Sequence, residues 1–423
     1  MNFNRKPSRE DNEEAAQRVL ERTIELSKYT DVCGHITRAF LSASTKGVHD
    51  RLRDWMAHLG MQVRVDAMGN LRGVYPAQDN QSGRLLIGSH IDTVPCAGAY
   101  DGVLGVMLGL ALIELLKGRR LAFEVEILAF SEEEGIRFRT PFLGSRALVG
   151  QVDDQLLRLV DSDGTTLRQA IQNFGLDPER MHEALIQGRA FGYIEFHIEQ
   201  GPVLEERGLG LGLVEDIVGQ SRLELSLRGM SGHAGTTPMH SRRDALAAAA
   251  EFVLAAERNA RTTPGLVVTV GQLCAYPGAA NVIPGEVKMS LDVRHSDNVA
   301  RTSAVEAVLC ECRTIAARRG ISLEVFTRLE QKSVMMDASL TAALAAATSA
   351  AGYPVYRMSS GAGHDAMIIA QQIPVAMLFL RSPGGISHHP QESVLKGDVI
   401  AAIEAGLYFL NGLDDSLAGV GAI

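Results

Sequence analysis

The feature that most constrains the fold is a short apolar strand that ends in chemically reactive side chains. The stretch "RLLIGSHIDTVP" is apolar over Leu85–Ile87 and then delivers His90 and Asp92, with Asp101 following in "YDG". Burying an unpaired carboxylate costs several kcal/mol or forces it to take up a proton. These side chains therefore either pair with one another at a surface turn or bind something positive.

Strands alternate with helices around this stretch. The apolar strands "RLLIGSHID" and "FEVEILAFSEEEG" flank the apolar helix "GVLGVMLGLALIELLK". This order predicts an α/β domain with a mostly parallel central sheet. Functional groups in such sheets gather beyond the carboxyl ends of the strands. Both His90 and the run Glu132–Glu134 follow strand ends, so we expect them at one edge of the sheet.

The pattern changes near residue 216. An order of strand, helix, strand, helix and strand runs from "SRLELSLRG" to "ISLEVFTRLE", and the first pattern returns in "PVAMLFLRS" and "KGDVIAAIEAGLYFLNGL". An α+β domain inserted into the α/β domain accounts for both changes. We therefore predict a catalytic domain of residues 1–216 and 331–423 and an inserted domain of residues 217–330.

Composition excludes several classes of partner. The net charge of the 423 residues is −9 and no basic cluster occurs, so neither nucleic acid nor an anionic membrane is an expected partner. No apolar run reaches the roughly 18–20 residues of a membrane span. The N-terminal stretch lacks the apolar core of a signal peptide, and the five cysteines form no disulfide framework. We expect a cytoplasmic protein.

Further ligand candidates also follow strand patterns. They are Glu133 and Glu134 in "FSEEEGIRF", His197 in "IEFHIEQGP" and His388 in "GGISHHPQE". Each alone has an ordinary structural explanation, since a single histidine packs in a loop and a glutamate run is usually solvated. Together, imidazoles and carboxylates at several strand ends can meet in one crevice. Such a set suits two divalent cations that share a bridging carboxylate.

Eight motifs in order carry a resemblance to a known family. The chain resembles the hydantoinase/carbamoylase branch of the M20 dinuclear metallohydrolases, which includes allantoate amidohydrolases, N-carbamoyl-L-amino-acid hydrolases and β-ureidopropionases. The resemblance implies a metal-binding domain, an inserted lid and dimerisation domain, and a homodimer joined through the lids. The motifs are "SHIDTVP…YDG", "EEEGIRF", "FHIEQGPVLE", "SGHAGTTPM", "NVIPGEV", "DVRH", "SGAGHDA" and "SHHPQE".

The resemblance also implies a cofactor and catalytic roles. It implies two divalent metal ions per subunit, Zn²⁺ or Mn²⁺, with Co²⁺ or Ni²⁺ also suited to these donors. Asp92 orients His90, and Glu133 is the general base that takes a proton from the attacking water. The implied ligands are His90, Asp101 and His197 for one ion, and the bridging Asp101, Glu134 and His388 for the other.

Other positions are candidates for the recognition of substrate. His233 is the candidate donor to the oxyanion, and the resemblance implies that it reaches into the partner subunit's site. Arg294 follows a strand pattern and is expected to grip a substrate carboxylate, with Asn281 bonding the same group. Gln220 and the backbone at Gly363 are expected to add polar contacts. Two positions that bear on the pocket lining depart from the family pattern: Ile136, where relatives often carry Ser or Ala, and Cys96, in a turn that usually holds Gly and polar residues.

The leading hypothesis is a metal-dependent amidohydrolase that cleaves a carbamoyl or ureido C–N bond and releases ammonia. Its substrate is a small ureido or carbamoyl compound that bears a carboxylate. One alternative is an M20 aminoacylase or peptidase; "FHIEQGPVLE" and "NVIPGEV" favour the ureido branch over it. Another is a catalytically silent protein that binds a ureido metabolite, yet no ligand or base is missing. Allantoate, N-carbamoyl-amino acids and N-carbamoyl-β-alanine all remain open as substrates.

Overall fold

The computed structural model describes residues 8–78 and 83–420. The chain divides into two compact units, which we call unit 1 (residues 1–215 with 336–423) and unit 2 (residues 216–335). The inserted span predicted from the sequence, 217–330, falls within unit 2, and its role as a lid stays a prediction. No helix among the described residues is both long and apolar enough to cross a bilayer.

The first part of unit 1 alternates helices and strands. Its first helix starts at a capping box, in which Ser8 Oγ accepts from the Asp11 backbone N–H and the Asp11 carboxylate accepts from Ser8 N–H. The helices are α1 (Arg9–Ser27), α2 (Ala43–His58), α3 (Val103–Leu115), α4 (Leu143–Leu148), α5 (Asp154–Leu157), α6 (Leu167–Phe174) and α7 (Val203–Glu206). The strands are β1 (Gln62–Val65), β2 (Leu71–Tyr75), β3 (Arg84–His90), β4 (Glu124–Phe130), β5 (Ala190–Ile198) and β6 (Leu211–Ile217).

Unit 2 contains the elements predicted for the inserted domain and five further strands of two to four residues, β8, β9, β10, β11 and β14. Strands this short lack the longer alternation that marks a strand in a sequence. The elements are β7 (Gly219–Arg228), β8 (Gly232–His233), α8 (Ala245–Thr262), β9 (Val267–Thr269), β10 (Leu273–Tyr276), β11 (Val282–Ile283), β12 (Glu286–His295), α9 (Asn298–Arg318), β13 (Ser322–Gln331) and β14 (Val334–Met335).

The chain then returns to unit 1 and completes its sheet and its helical layer. The remaining elements are α10 (Ala338–Ala350), β15 (Arg357–Ser360), α11 (Asp365–Ile369), β16 (Val375–Leu380) and α12 (Lys396–Val420). The helix α10 begins at Asp337, whose side chain accepts from the backbone N–H of Leu340.

The sheet of unit 1 has a parallel centre. Its order is β1-β2-β4-β3-β5-β16-β6, and β14 pairs with the end of β6. The four central strands β4, β3, β5 and β16 are parallel, while the strands on both sides pair antiparallel. The central strands are buried along nearly their whole length, as expected of parallel strands covered on both faces. The predicted α/β class with a mostly parallel central sheet is confirmed.

The helix α3 packs directly against this parallel centre. It is apolar on every side, and 12 of its 13 residues are buried. It contacts β3 and β5 on the side of the sheet and α1 and α12 on its other side. Because β3, β4 and β5 are parallel, their carboxyl ends lie at the same edge of the sheet. The last residue of β3, His90, is paired with the last residue of β4, Phe130, and His197 lies near the end of β5. The strand ends therefore place these histidines at one edge of the sheet.

Unit 2 is an antiparallel sheet covered by two helices. The sheet has the order β10-β12-β7-β13, with β9 pairing to β12. Alternate residues of β12 are buried in the core formed with α8 and α9, among them Val287, Leu291 and Val293. The strands β8 and β11 form a separate two-stranded ribbon that pairs Val282 with His233.

Candidate metal centre and catalytic residues

Three of the predicted ligands meet at the strand ends of unit 1. His90 ends β3, His197 lies near the end of β5, and Asp101 occupies the turn before α3. Their exposed fractions are 1%, 1% and 3%. The next residue, Gly102, has φ 68°, and a Cβ there would lie 2.5 Å from the His90 ring. Glycine therefore allows Asp101 and His90 to approach each other.

The hydrogen bonds of the His90 and His197 imidazoles use their Nδ1 atoms and leave both Nε2 atoms facing the Asp101 carboxylate. His90 Nδ1 lies 3.1 Å from the Asp92 carbonyl, and His197 Nδ1 lies 2.9 Å from the Ile198 carbonyl. Because a carbonyl only accepts, both Nδ1 atoms carry a proton, and each Nε2 atom carries a lone pair whenever its ring is neutral. These two Nε2 atoms are 3.4 Å apart and lie 3.4 and 3.3 Å from Asp101 Oδ1. With both rings neutral, two imidazole nitrogens and a carboxylate oxygen face one another at this range, an arrangement that suits a metal cation between them.

The second oxygen of Asp101 faces a different group. Asp101 Oδ2 lies 3.2 Å from His388 Nε2, which in turn lies 3.4 Å from Glu134 Oε1. Gln200 Nε2 donates to the same Oδ2 at 2.8 Å. Asp101 thus presents one oxygen to His90 and His197 and the other to His388 and Glu134, which is the arrangement of a bridging carboxylate.

The electrostatics of this cluster favour positive charge. Burial opposes protonation of His90, yet contacts with Asp101 and Asp92 raise its pKa well above the usual value. Hydrogen bonds to Asp101 and then Glu134 raise the pKa of His388 to about 10. Burial lowers the pKa of His197 to about 4, which keeps this imidazole neutral and able to bind a metal.

Asp92 connects the His90 ring to the run of glutamates. Its Oδ1 lies 3.4 Å from His90 Nδ1 and accepts from the Glu133 backbone N–H at 3.0 Å, and its Oδ2 accepts from Glu134 N–H at 3.1 Å. Oxygens of Glu133 and Glu134 lie within 4.8 Å of a His90 nitrogen. Burial raises the pKa of Glu133 well above the usual range, which suits a carboxylate that must accept a proton near neutral pH.

These groups fit divalent metal ions. Asp101 Oδ1 is buried and has no hydrogen-bond partner within residues 8–78 and 83–420. Among the described residues, four sets of three candidate ligands lie within 4.8 Å of one another, and Asp101 belongs to two of these sets. Imidazole and carboxylate donors without thiolates suit several first-row divalent metals. The two sets are His90, Asp101 and His197, and Asp101, Glu134 and His388.

Two of the predicted substrate residues lie together in unit 2. His233 pairs opposite Val282 in the β8–β11 ribbon, and the Ala234 backbone N–H donates to the Asn281 carbonyl at 2.9 Å. The side chains of His233 and Asn281 are both exposed. His233 Nδ1 accepts from the Gly235 backbone N–H at 3.1 Å, so this ring carries its proton on Nε2. The ring therefore presents a donor to solvent.

Arg294 and Gln220 meet at one carboxylate in the sheet of unit 2. They are directly opposite each other in β12 and β7. Arg294 Nε donates to Asp292 Oδ1 at 2.8 Å, and Gln220 Nε2 donates to Asp292 Oδ2. Arg222 also contacts Asp292, at 3.2 Å. A substrate carboxylate that binds Arg294 would therefore share the Arg294 guanidinium with the Asp292 carboxylate.

Gly363 lies in unit 1, and so do Ile136 and Cys96, the two positions that depart from the family pattern. Gly363 lies between β15 and α11, where a Cβ would be 2.8 Å from the Phe142 ring. Ile136 is 42% exposed, and Cys96 is exposed with φ 57°. Neither Ile136 nor Cys96 belongs to a candidate ligand set.

Sequence reasoning missed several polar groups around the ligands. Glu392 accepts the backbone N–H groups of the Asp101 turn, and Ser387 lies 3.1 Å from Asp101 Oδ2. His364 is buried with its ring centroid 4.5 Å from that of His197. Glu392 and His364 stand in the motifs "SHHPQE" and "SGAGHDA", so the motifs themselves were the available signal.

Comparison with known proteins decides the family. The model of peptidase family M20/M25/M40 matches residues 86–412. The chain belongs to this family. Within it, the chain is 37% identical to allantoate deiminase 1 of Glycine max, over 93% of this chain and 89% of that protein. It is 36% identical to the N-carbamoyl-L-amino acid amidohydrolase of Geobacillus stearothermophilus, over 92% of this chain and 96% of that one.

A solved structure places this M20 chain in a narrower group. The crystal structure of an amidase of the hydantoinase/carbamoylase family from Burkholderia multivorans superposes with a TM-score of 0.87. That match has 31% sequence identity and covers 93% of this chain and 97% of the amidase. The predicted membership of the hydantoinase/carbamoylase branch is confirmed.

Proposed function

We propose that this M20 chain hydrolyses a carbamoyl or ureido C–N bond of a small substrate and releases ammonia. The observation that carries the proposal is the cluster formed by His90, His197 and Asp101, whose facing nitrogen and oxygen atoms suit a divalent cation. The similarity to allantoate deiminase 1 and to an N-carbamoyl-L-amino acid amidohydrolase supports a ureido or carbamoyl substrate. The chain is a metal-dependent amidohydrolase.

The metal ions, when bound, activate water and polarise the carbonyl group of the substrate. Glu133 takes the proton of the attacking water and returns it to the leaving nitrogen, since its raised pKa suits both transfers. Asp92 holds the His90 ring and fixes the backbone of Glu133 and Glu134, so the base and a ligand keep their positions together.

We propose the identity of the metal from the chemistry of the candidate donors. Three imidazoles and two carboxylates make up the candidate ligands, and none of the five free cysteines belongs to a candidate set. Zn²⁺ and Mn²⁺ are the proposed ions, and Co²⁺ or Ni²⁺ can replace them.

Unit 2 supplies the proposed recognition of substrate. Arg294 binds the substrate carboxylate, and Asn281 donates a hydrogen bond to the same group. Gln220 lies beside Arg294, because both side chains donate to Asp292. His233 stabilises negative charge on the substrate oxygen, because its hydrogen bond from Gly235 leaves Nε2–H free to donate. The backbone N–H of Gly363 adds a contact from unit 1.

We also propose that the protein is a homodimer joined through unit 2. Large apolar side chains are exposed on the strands β9, β10 and β13 of that unit, namely Val267, Leu273, Tyr276 and Phe326. Sedimentation velocity on the wild type and on Phe326→Glu tests this arrangement. A dimer that the substitution weakens is the expected result, and a monomeric wild type contradicts it.

Ammonia release tests the function directly. The protein is freed of metal by a chelator, reloaded with Zn²⁺ or Mn²⁺, and assayed with allantoate, an N-carbamoyl-L-amino acid and N-carbamoyl-β-alanine. Turnover of at least one substrate by the reloaded protein, and none by the chelated protein, is expected. Glu133→Gln is the matched control for contaminating activity. Full activity in a verified metal-free sample contradicts the proposal.

A further inference from the structure

Glu392 joins two segments that carry proposed ligands. It belongs to the His388 loop (residues 381–395), and its side chain reaches the Asp101 turn (residues 96–102). Glu392 Oε1 accepts the backbone N–H of Tyr100 at 2.8 Å and of Asp101 at 2.9 Å. The glutamate is 5% exposed, so these bonds lie out of water.

A second contact runs from the same carboxylate to the Asp101 side chain. Ser387 Oγ lies 3.1 Å from Asp101 Oδ2 and 3.3 Å from Glu392 Oε2. Glu392 therefore holds the backbone of Asp101 directly, and the Ser387 hydroxyl, whose single proton is donated to one carboxylate or the other, lies between it and the Asp101 side chain.

The Asp101 turn is shaped to admit this glutamate. A Cβ at Gly98 would overlap Glu392 Cβ and lie 2.5 Å from Glu392 Oε1. Residues 98–100 belong to neither helix nor strand, so no regular backbone ladder holds them. Contacts from outside the turn must therefore fix the direction in which Asp101 points.

We propose that Glu392 is a positioning residue that clamps the Asp101 turn to the His388 loop and thereby sets the metal affinity of the centre. The inference rests on the proposed metal centre. Asp101 and His388 come from segments far apart in the chain, and each must be held in place for both to share an ion. Glu392 itself belongs to none of the candidate ligand sets among the described residues.

Metal titration of chelated protein against a coloured competing chelator measures the clamp. Glu392→Ala removes both hydrogen bonds, and the affinity for Zn²⁺ is expected to fall about 10–100-fold. Glu392→Gln keeps an oxygen that accepts both N–H groups, so its affinity is expected to stay within about threefold of wild type. Metal-dependent thermal stabilisation is expected to shrink in Glu392→Ala and persist in Glu392→Gln.

The matched control is Asp414→Ala. Asp414 also joins two segments of unit 1, because its carboxylate accepts the backbone N–H of Ala122 at 2.7 Å. Ala122 lies just before β4 and far from the end of that strand that leads to Glu133 and Glu134. Its loss is expected to lower the thermal midpoint of the metal-free protein and leave the Zn²⁺ affinity unchanged. Should Glu392→Ala not fold, Gly98→Ala displaces the same carboxylate and is expected to weaken the affinity at least tenfold.

The outcomes separate the clamp from the metal centre. A wild type that binds no divalent ion contradicts the proposed function. A wild type that binds ions, together with Glu392→Ala or Gly98→Ala of unchanged affinity, contradicts the clamp alone. A Glu392→Gln variant as weak as Glu392→Ala also contradicts it, because hydrogen-bond acceptance is the stated cause.

Discussion

The candidate residues of unit 1 and those of unit 2 differ in how firmly they are held. His90, Asp101 and His197 are almost fully buried at the strand ends of a parallel sheet, and each is oriented by further hydrogen bonds. In unit 2, His233 and Asn281 are exposed on a two-stranded ribbon. The proposed metal ligands thus lie at the buried ends of sheet strands, where their geometry is fixed.

The same difference appears in the charges. Unit 1 gathers carboxylates and imidazoles. Their charges must be balanced by one another and by a cation. In unit 2, Arg294 and Arg222 already share Asp292. The first arrangement needs a cofactor to be complete, whereas the second is balanced and can exchange a partner with a substrate. Disturbing unit 1 should therefore abolish chemistry, and disturbing unit 2 should alter substrate affinity.

The largest expected effect comes from the base of unit 1. Glu133→Gln is expected to lower kcat by about 10²–10⁴-fold, because an amide cannot accept the proton. Elemental analysis should still find the wild-type metal content, since the substitution leaves the proposed ligands intact. The matched variant Glu134→Gln is expected to lose metal instead. If Glu133→Gln loses metal and Glu134→Gln keeps it, the two roles are exchanged.

A smaller effect is expected from the charged anchor of unit 2. Arg294→Ala should lower kcat/KM about 10–100-fold, mainly through KM, because a charge-assisted bond to the substrate is worth about 1.5–3 kcal/mol. The control is Arg222→Ala, since Arg222 contacts the same Asp292 and is half exposed. Equal losses in the two variants would show that the charge of the cluster matters and the position of Arg294 does not.

The smallest effect concerns stability and separates two buried histidines of unit 1. Carboxylates raise the pKa of His90, whereas burial lowers that of His49 from 6.5 to about 4. The unfolded chain therefore binds a proton that the folded chain excludes, and His49 lowers stability as the pH falls from about 6.5 to 4. The loss is about 3 kcal/mol at most.

Chemical denaturation of the metal-free protein at pH 7 and pH 5 checks this sign. Wild type is expected to lose more stability over that interval than His49→Leu, whose side chain does not titrate. His49 packs edge-on against Phe174, so both proteins keep an apolar contact there. The same pH dependence in both proteins rules out His49 as its source.

The meeting of the candidate ligands could be predicted from the sequence because several of them follow strand ends, and their role as ligands stays a prediction. His90 and the glutamate run close apolar strands, and parallel strands bring such ends to one edge. The change of pattern near residue 216 coincides with the boundary between the two units. The short strands β9 and β10 could not be predicted, since strands of three and four residues show too few alternations to be recognised.

The supporting contacts could not be read from the sequence. Glu392 and Asp101 are 291 positions apart, and nothing local to either residue indicates that they meet. The pairing of Arg294 with Asp292 also needed the structure, because residues two apart in a strand share a face only when the strand is regular. Local patterns predict where reactive groups lie, and the fold decides what holds them.

Anomalous diffraction from crystals of the Zn²⁺- or Mn²⁺-loaded protein tests the central claim most directly. The account predicts two metal peaks in each chain, one at His90 and His197 and the other at His388 and Glu134, with the Asp101 carboxylate between them. Soaking with a chelator should remove both peaks. A single peak, or peaks at other side chains, would contradict a centre built on a bridging Asp101.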